Sequence, residues 1–195
     1  MKIGVLALQG AFVEHIAVLR HLGVEAVPVR LSSQLEGLGG LIIPGGESTT
    51  ISRLMVSNHL LGELKRRGEE GLPIWGTCAG LILLAKEVEG FEDPTLGLMD
   101  VRVRRNAFGR QVDSFEEELS ILSLRGESFR GVFIRAPLVE WVGPAVRVLA
   151  TIANGTAVAV QEGNFLGTAF HPELTSDLRF HRYFLSQVGG ETAPI

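Results

Sequence analysis

The chain has 195 residues, 46% of them hydrophobic, enough to bury one sizeable core, so a single domain over residues 1–195 is expected. Its 22 acidic against 18 basic residues leave a net charge of -4, which offers no general attraction to nucleic acid or to an anionic membrane. The single cysteine cannot form an internal disulfide, the N-terminus lacks the pattern of a secretion signal, and the longest nearly apolar stretch, Leu72 to Ala85, is too short and interrupted to span a bilayer, so a reducing cytoplasm is the expected setting.

In chain order, strands rich in Val, Ile and Leu alternate with amphipathic helices. A strand over Ile3 to Leu8 precedes a helix near Ala11 to Leu22, and strands over Ala26 to Val29 and Leu41 to Ile43 precede one helix near Thr50 to Arg67. The first strand ends in Leu6-Ala-Leu-Gln-Gly-Ala11, without the glycine pattern of a dinucleotide fingerprint. Gln9 and Gly10 fall at the sheet end where a site would form, so they are candidates for shaping it or meeting a partner. The third strand runs into Pro44-Gly-Gly-Glu-Ser-Thr-Thr50, where two glycines let the main chain approach a ligand and Ser48, Thr49 and Thr50 are N-cap candidates. No Gly-Lys-Ser/Thr follows at the spacing of a Walker phosphate loop, which is therefore rejected.

A strand at Ile74 to Trp75 then enters Gly76-Thr-Cys-Ala-Gly80 and an apolar helix. In such a strand-to-helix elbow the turn is so sharp that neighbouring Cβ atoms would collide, and glycine on each side relieves the clash. The thiol of Cys78 then points out of the sheet edge at a helix N-terminus, where unpaired N–H groups and the dipole favour the thiolate. A lone cysteine is more often a small buried hydrophobe, so the reading turns on whether a base and an orienting acid exist elsewhere.

Beyond Phe91 the elements shorten and Gly, Pro and Asn separate them, pointing to a more antiparallel second half. Ala157 to Gln161 and Phe165 to Phe170 flank Glu162-Gly-Asn164 as a hairpin, and Ser176 to Gln187 reads as the closing helix. The hairpin's second strand runs on into His171-Pro172-Glu173. Pro172 biases His171 toward the extended region, and residues i and i+2 of an extended chain project to one side, so Glu173 is placed to hold one imidazole nitrogen. The other nitrogen is free to take a thiol proton and later to protonate a leaving group. Cys78, His171 and Glu173 are thus the catalytic candidates, with the amides of Gly46 and Ala79 as a candidate oxyanion hole. His15, His21, His59 and His181 fall on expected helices without partners at metal-ligand spacing and read as surface or packing residues, so no metal is expected. The architecture expected is α/β, three-layered, with a mostly parallel central sheet, helices on both faces, some antiparallel strands in the second half, and a site at the C-terminal strand ends.

In order and spacing, the elbow at Cys78, the loop Pro44-Gly-Gly-Glu47 and the pair His171 and Glu173 resemble the class I, triad-type glutamine amidotransferases. Within that family, Gly4-Val-Leu-Ala-Leu-Gln-Gly10, Pro44 to Thr50, Arg105-Asn-Ala-Phe-Gly-Arg-Gln111 and Phe133-Ile-Arg-Ala-Pro137 are most similar to the glutaminase subunits of pyridoxal 5'-phosphate synthase. The last two segments are the specific ones. The resemblance implies hydrolysis of L-glutamine to L-glutamate and ammonia, with ammonia passed to a synthase subunit in a hetero-oligomeric complex and no cofactor. It implies a γ-glutamyl thioester on Cys78, protonation of departing ammonia by His171 held by Glu173, and substrate contacts from Gly46, Glu47, Ser48, Arg105, Ile134 and Arg135. Arginines suit a carboxylate and Glu47 an ammonium. From the residues alone, Arg105 equally fits a solvated face of the basic strand Arg102 to Asn106, and Arg135 a structural ion pair. Two other readings stay open at this stage: a γ-glutamyl peptidase or the glutaminase of another synthase, and a non-catalytic module with Cys78 as a redox sensor. Free ammonia is protonated in water and lost as a nucleophile, so activity dependent on the synthase is expected.

Overall fold

The computed structural model describes residues 1–105, 114–121, 124 and 128–190. The first half contains β1 (Lys2–Leu6), α1 (Phe12–His21), β2 (Glu25–Val29), β3 (Gly40–Ile43), α2 (Ser48–Ser57), α3 (Leu60–Glu69), β4 (Ile74–Thr77) and α4 (Ala79–Leu84). These strands are parallel, with β1 between β2 and β3 and with β4 on the far side of β3. Every residue of β3 and β4 is buried, as expected of apolar runs that carry helices on both faces of the sheet. Alternation along β4 separates the two layers. Trp75 stacks on Phe180 of the last helix, whereas a Cβ on Gly76 would meet Gly80 of α4 on the opposite face.

The second half adds β5 (Ala85–Glu89), β6 (Met99–Arg104), β7 (Ser114–Leu119), β8 (Phe129–Ile134), β9 (Leu138–Val142), β10 (Arg147–Thr151), β11 (Ala157–Glu162), β12 (Phe165–Thr168) and α5 (Arg179–Val188). The sheet runs β2-β1-β3-β4-β12-β11-β9-β6-β5, with β10 paired to β11. The expected hairpin is present: β11 and β12 pair antiparallel, Glu162 opposite Phe165. Antiparallel pairs also join β6 to β9 and β9 to β11, while β5 and β6 are parallel. The strands β7 and β8 form a separate antiparallel ribbon, on which the Phe115 and Phe133 rings stack at 4.5 Å.

The position of β12 decides where chemistry can occur. It returns parallel beside β4, Thr168 level with Thr77, so the segments leaving both strands emerge side by side. An aromatic cluster of Phe129, Phe133, Phe170 and Phe180 fastens the β8 ribbon and α5 to that end of the sheet. Among the described residues, no helix is long and apolar enough to cross a membrane.

Strand ends differ from expectation by one or two residues, and the helices differ in three respects. The single helix expected near Thr50 to Arg67 is two helices, because Asn58 and His59 close α2 and His59 takes a left-handed φ of 54°. Serine and asparagine compete with the helix for backbone bonds, and beyond the turn Leu60 and Leu64 are buried. The N-cap of α2 is Glu47 rather than a hydroxyl residue, its carboxylate accepting the amides of Thr49 and Thr50. The last helix starts at Arg179, after Asp177 accepts the Arg179 amide at 3.0 Å.

The elbow depends on the absence of a side chain at Gly80, where a Cβ would lie 2.0 Å from the Ile43 carbonyl oxygen. Both partners are backbone in packed elements, so neither can yield cheaply. Gly80→Ala is expected to destabilise the fold by about 3 kcal/mol in denaturant unfolding. A loss below about 0.5 kcal/mol would mean that α4 slides freely on β3.

Candidate active site

Cys78 is the residue between β4 and α4, at φ 49° and ψ -102°, a conformation that a side chain adopts only under constraint. The constraint is visible on both sides. Its amide donates to the Thr168 carbonyl of β12 at 2.7 Å, and a Cβ on Gly76 would lie 2.4 Å from the Gly80 backbone. The expected elbow is therefore present, with Cys78 at the N-cap of α4 and only 7% exposed. Its Sγ lies 3.8 Å from the Ile134 carbonyl oxygen at the end of β8.

His171 and Glu173 meet as expected, Nδ1 to Oε1 at 2.7 Å, but by a different route. Pro172 to Leu174 form a 3-10 turn with His171 as its N-cap, so Glu173 reaches back across a turn instead of lying two residues along a strand. The proline that biases His171 away from the helical region also starts that turn well, its φ being preset. The His171 amide donates to Val132 at 2.8 Å, tying the turn to β8. Burial opposes charge on His171, but the Cys78 sulphur and the Glu173 carboxylate outweigh it and push its pKa up to about 10. A protonated imidazole therefore faces the sulphur. Burial also raises Glu173, yet His15 and His171 beside it hold the carboxyl below its usual range.

The remaining expected residues gather in one cleft of about 250 Å3. Cys78, Ala79 and His171 line it, together with Gly46, Glu47 and Ser48 from the loop after β3, Arg105 from beyond β6, and Ile134 and Arg135 from the end of β8. Gln9 and Ile82 complete the lining, so Gln9 helps to shape the site. Its Oε1 accepts the Glu47 amide at 2.7 Å, and Ala11 donates to the Gly45 carbonyl at 2.9 Å, so the segment after β1 clasps the Pro-Gly-Gly loop. Gly45 itself leaves room for the imidazole, since a Cβ there would lie 2.3 Å from Cε1 of His171. A larger hollow of about 620 Å3 near Met1, His21 and Arg182 is lined by none of Cys78, His171 and Glu173.

Two substrate candidates are engaged with each other. Arg105 Nη2 lies 3.2 Å from Glu47 Oε1, and its guanidinium lies over the Phe91 ring at 4.9 Å. Arg105 is therefore not a freely solvated face residue. Burial pulls Glu47 upward, but its bonds from Thr50 and Thr49 and the charge of Arg105 together outweigh it and hold the carboxyl below its usual range. Arg135 occupies a left-handed φ of 43° at the cleft wall, and among the described residues it makes no ion pair. The rest of the segment that follows Arg105, residues 106–111, lies outside the described residues. Among the described residues no three His, Cys, Asp or Glu side chains group so as to hold a metal ion.

Sequence reasoning missed His15 and His181. Both are fully buried, and the chain Glu173, His15, His181 extends the pair behind His171. The signal was periodic: His15 shares the apolar stripe of Phe12, Ile16 and Leu19, and His181 lies between the buried Phe180 and Tyr183.

A cysteine at an elbow, a histidine held by a carboxylate, and exposed main chain across a small polar cleft together have the arrangement of a cysteine amide hydrolase on an α/β sheet. The chain belongs to the SNO glutamine amidotransferase family, which it matches over residues 5–189. It is 58% identical over 189 residues to pyridoxal 5'-phosphate synthase subunit PdxT of Moorella thermoacetica, covering 97% of this chain and 100% of that one. It is 60% identical over 187 residues to the same subunit of Dehalococcoides mccartyi, covering 95% and 96%. A crystal structure of a glutamine amidotransferase superposes with a TM-score of 0.92 at 53% identity, covering 96% of this chain and 98% of that one.

The charge on His171 has a checkable sign. A basic group raised from 6.5 to about 10 contributes stability that is fully present below about pH 6.5 and lost as pH climbs toward 10. In an NMR titration His171 is expected to stay protonated from pH 6 to 8, a range within about two pH units of the usual histidine value. Cys78→Ala should lower its midpoint by removing the sulphur. A midpoint near 6.5 in the unaltered protein would refute the ion pair.

Proposed function

We propose that this chain hydrolyses L-glutamine to L-glutamate and ammonia through Cys78, His171 and Glu173, and passes the ammonia to the synthase subunit of pyridoxal 5'-phosphate synthase. The observation that carries the reading is the meeting of elbow and His-Glu pair at the adjoining ends of β4 and β12, in a chain of the glutamine amidotransferase family. The relatives named as pyridoxal 5'-phosphate synthase subunits, matched over nearly their whole length, support the partner.

The mechanism follows from the atoms present. The Cys78 thiolate adds to the side-chain amide carbon of glutamine, and the amides of Gly46 and Ala79 receive the negative charge that develops on oxygen. His171 gives its proton to the amide nitrogen, the C–N bond breaks, and ammonia leaves a γ-glutamyl thioester on sulphur. His171, now neutral, takes a proton from water as the hydroxide adds to the thioester. Collapse of this second intermediate releases glutamate and restores the thiolate facing an imidazolium. Glu173 keeps the imidazole oriented and stabilises its charge throughout.

Glutamine is a zwitterion at its α-carbon, and the cleft offers both signs. Glu47 faces the ammonium, Arg105 and Arg135 the carboxylate, while Ser48 and Ile134 complete the wall. The pairing of Glu47 with Arg105 keeps those charges mutually satisfied until substrate inserts its own. Residues 1–195 act as one amidotransferase domain, and the free thiol and absence of a membrane-spanning helix among the described residues fit a cytoplasmic setting.

The test is glutamate release from L-glutamine by the purified chain, alone and with the synthase subunit. Synthase should stimulate the rate, and Cys78→Ala should abolish it, a loss of about 1,000-fold or more. Release that depends on Cys78 but ignores the synthase would move the protein to another glutaminase or peptidase. No release in either condition would favour the redox-sensor reading.

A further inference from the structure

Glu173 is a buried carboxylate whose two oxygens are treated differently. Oε1 accepts a hydrogen bond from Nδ1–H of His171, while Oε2 has no well-aligned hydrogen bond. A buried anionic oxygen left without a donor is costly. His15 of α1 places Nε2 at 3.4 Å from Oε2, and 3.3 Å from the hydroxyl of Thr77. The other nitrogen of His15, Nδ1, lies 3.0 Å from Nε2 of His181 on α5.

We propose that His15 is a positioning residue of the triad: as its Nε2–H tautomer, fixed by a hydrogen bond that His181 donates to Nδ1, it holds Oε2 of Glu173 and keeps that carboxylate aimed at His171. This rests on the glutaminase reading above.

The proton positions follow from satisfying each buried atom. If Nε2 of His15 carries the proton, it faces the carboxylate oxygen that needs a donor. Nδ1 is then an acceptor, and His181 must donate from Nε2. That leaves Nδ1 of His181 as a bare lone pair, and it is the ring nitrogen that has no partner. The reverse arrangement would orphan an N–H on His181 and turn a His15 lone pair toward a carboxylate. A buried donor without a partner is the rarer fault in native proteins, so the first arrangement is preferred.

The surroundings agree. The titratable groups that face Glu173 are His15 and His171, and those that face His15 are Glu173, His171, His181 and Glu14 of its own helix. Burial dominates both outer histidines and lowers their pKa, so near neutral pH His15 offers Glu173 an N–H dipole rather than a charge. The edge of Trp75 packs against both rings, at 5.6 and 4.9 Å between centroids, which limits their rotation. Thr77 accepts the Gly45 amide at 3.0 Å, so the hydroxyl beside His15 also pins the loop that carries Gly46. His15 thereby ties the orientation of the general base to that of the oxyanion loop.

The experiment compares the unaltered chain, His15→Met and His15→Gln, each in complex with the synthase subunit, by glutaminase kinetics over pH. Methionine fills the space without a donor, whereas a glutamine side-chain amide reaches the place of Nε2. His15→Met should lower kcat on the order of tenfold or more with little change in KM, and should move the acid limb of kcat to higher pH, because Glu173 loses a donor to its charged form. His15→Gln should recover most of both. Equal losses in the two variants with an unmoved acid limb, or an undiminished kcat in His15→Met, would overturn the proposal. Nitrogen-15 NMR of the unaltered protein decides the matter even if a variant fails to fold: protonated Nε2 and bare Nδ1 on His15 support it, and the opposite tautomer refutes it. If the unaltered complex releases no glutamate, the glutaminase reading fails, and the positioning role with it, whichever tautomer is found.

Discussion

The parallel pairing of β12 with β4 is the contact on which the candidate site depends. In the proposed reaction neither Cys78 nor His171 can act alone, and the two lie 93 positions apart in the chain. Pairing Thr168 with Thr77 brings their segments to the same sheet edge, and the bond from the Cys78 amide to the Thr168 carbonyl joins elbow to strand directly. Because side chains alternate along β4, the same strand serves two layers. Trp75 and Thr77 face the histidines of α1 and α5, and Gly76 makes room for α4. A shift of register by one residue would exchange these faces and separate Cys78 from His171.

Electrostatics around Glu173 obey one constraint, that a buried charge must be paired and hydrogen-bonded. Desolvation raises the Glu173 carboxyl and lowers the imidazoles, so burial by itself works against charge on every one of these groups. Their proximity reverses that for two of them. Glu173 stays ionised and His171 stays protonated, whereas His15 and His181, farther from the sulphur, stay neutral. The charge is thus confined to the end of the chain that faces the cleft.

Much of this was legible in the sequence because the relevant signals are local. Two glycines around Cys78 fix an elbow, a proline beside His171 biases its backbone, and short apolar runs mark the strands that carry them. What was not legible is non-local or depends on a weak local preference. His59 breaks a helix by entering a left-handed conformation that its neighbours do not demand. Glu47 looks like a ligand for an ammonium, yet it also caps α2 because the loop turns its carboxylate onto the Thr49 and Thr50 amides. His15 and His181 sit on apolar stripes, where a histidine reads as packing. Only the fold, by setting α1 and α5 side by side against Trp75, reveals that they share a hydrogen bond behind Glu173.

The dual use of Glu47 bears on how the site is held together. As N-cap it satisfies donors that α2 cannot satisfy itself, and it places negative charge at the positive end of that helix. As cleft wall it faces Arg105, whose guanidinium rests on Phe91. One carboxylate therefore couples a helix terminus to the residues that would meet substrate. The backbone shows the same economy. Of the three non-glycine residues with positive φ among the described residues, Cys78 and Arg135 both line the cleft. Such conformations cost about 1–3 kcal/mol each and persist only where the surroundings over-determine them. Here β12 holds Cys78 by its amide, while at the end of β8 Phe133 packs against Phe170, on the segment that leads into His171. Strain at Cys78 and the cleft wall is thus carried by the same two strands that assemble the His171 turn, so the packing that stabilises the fold also holds the proposed reacting groups in place.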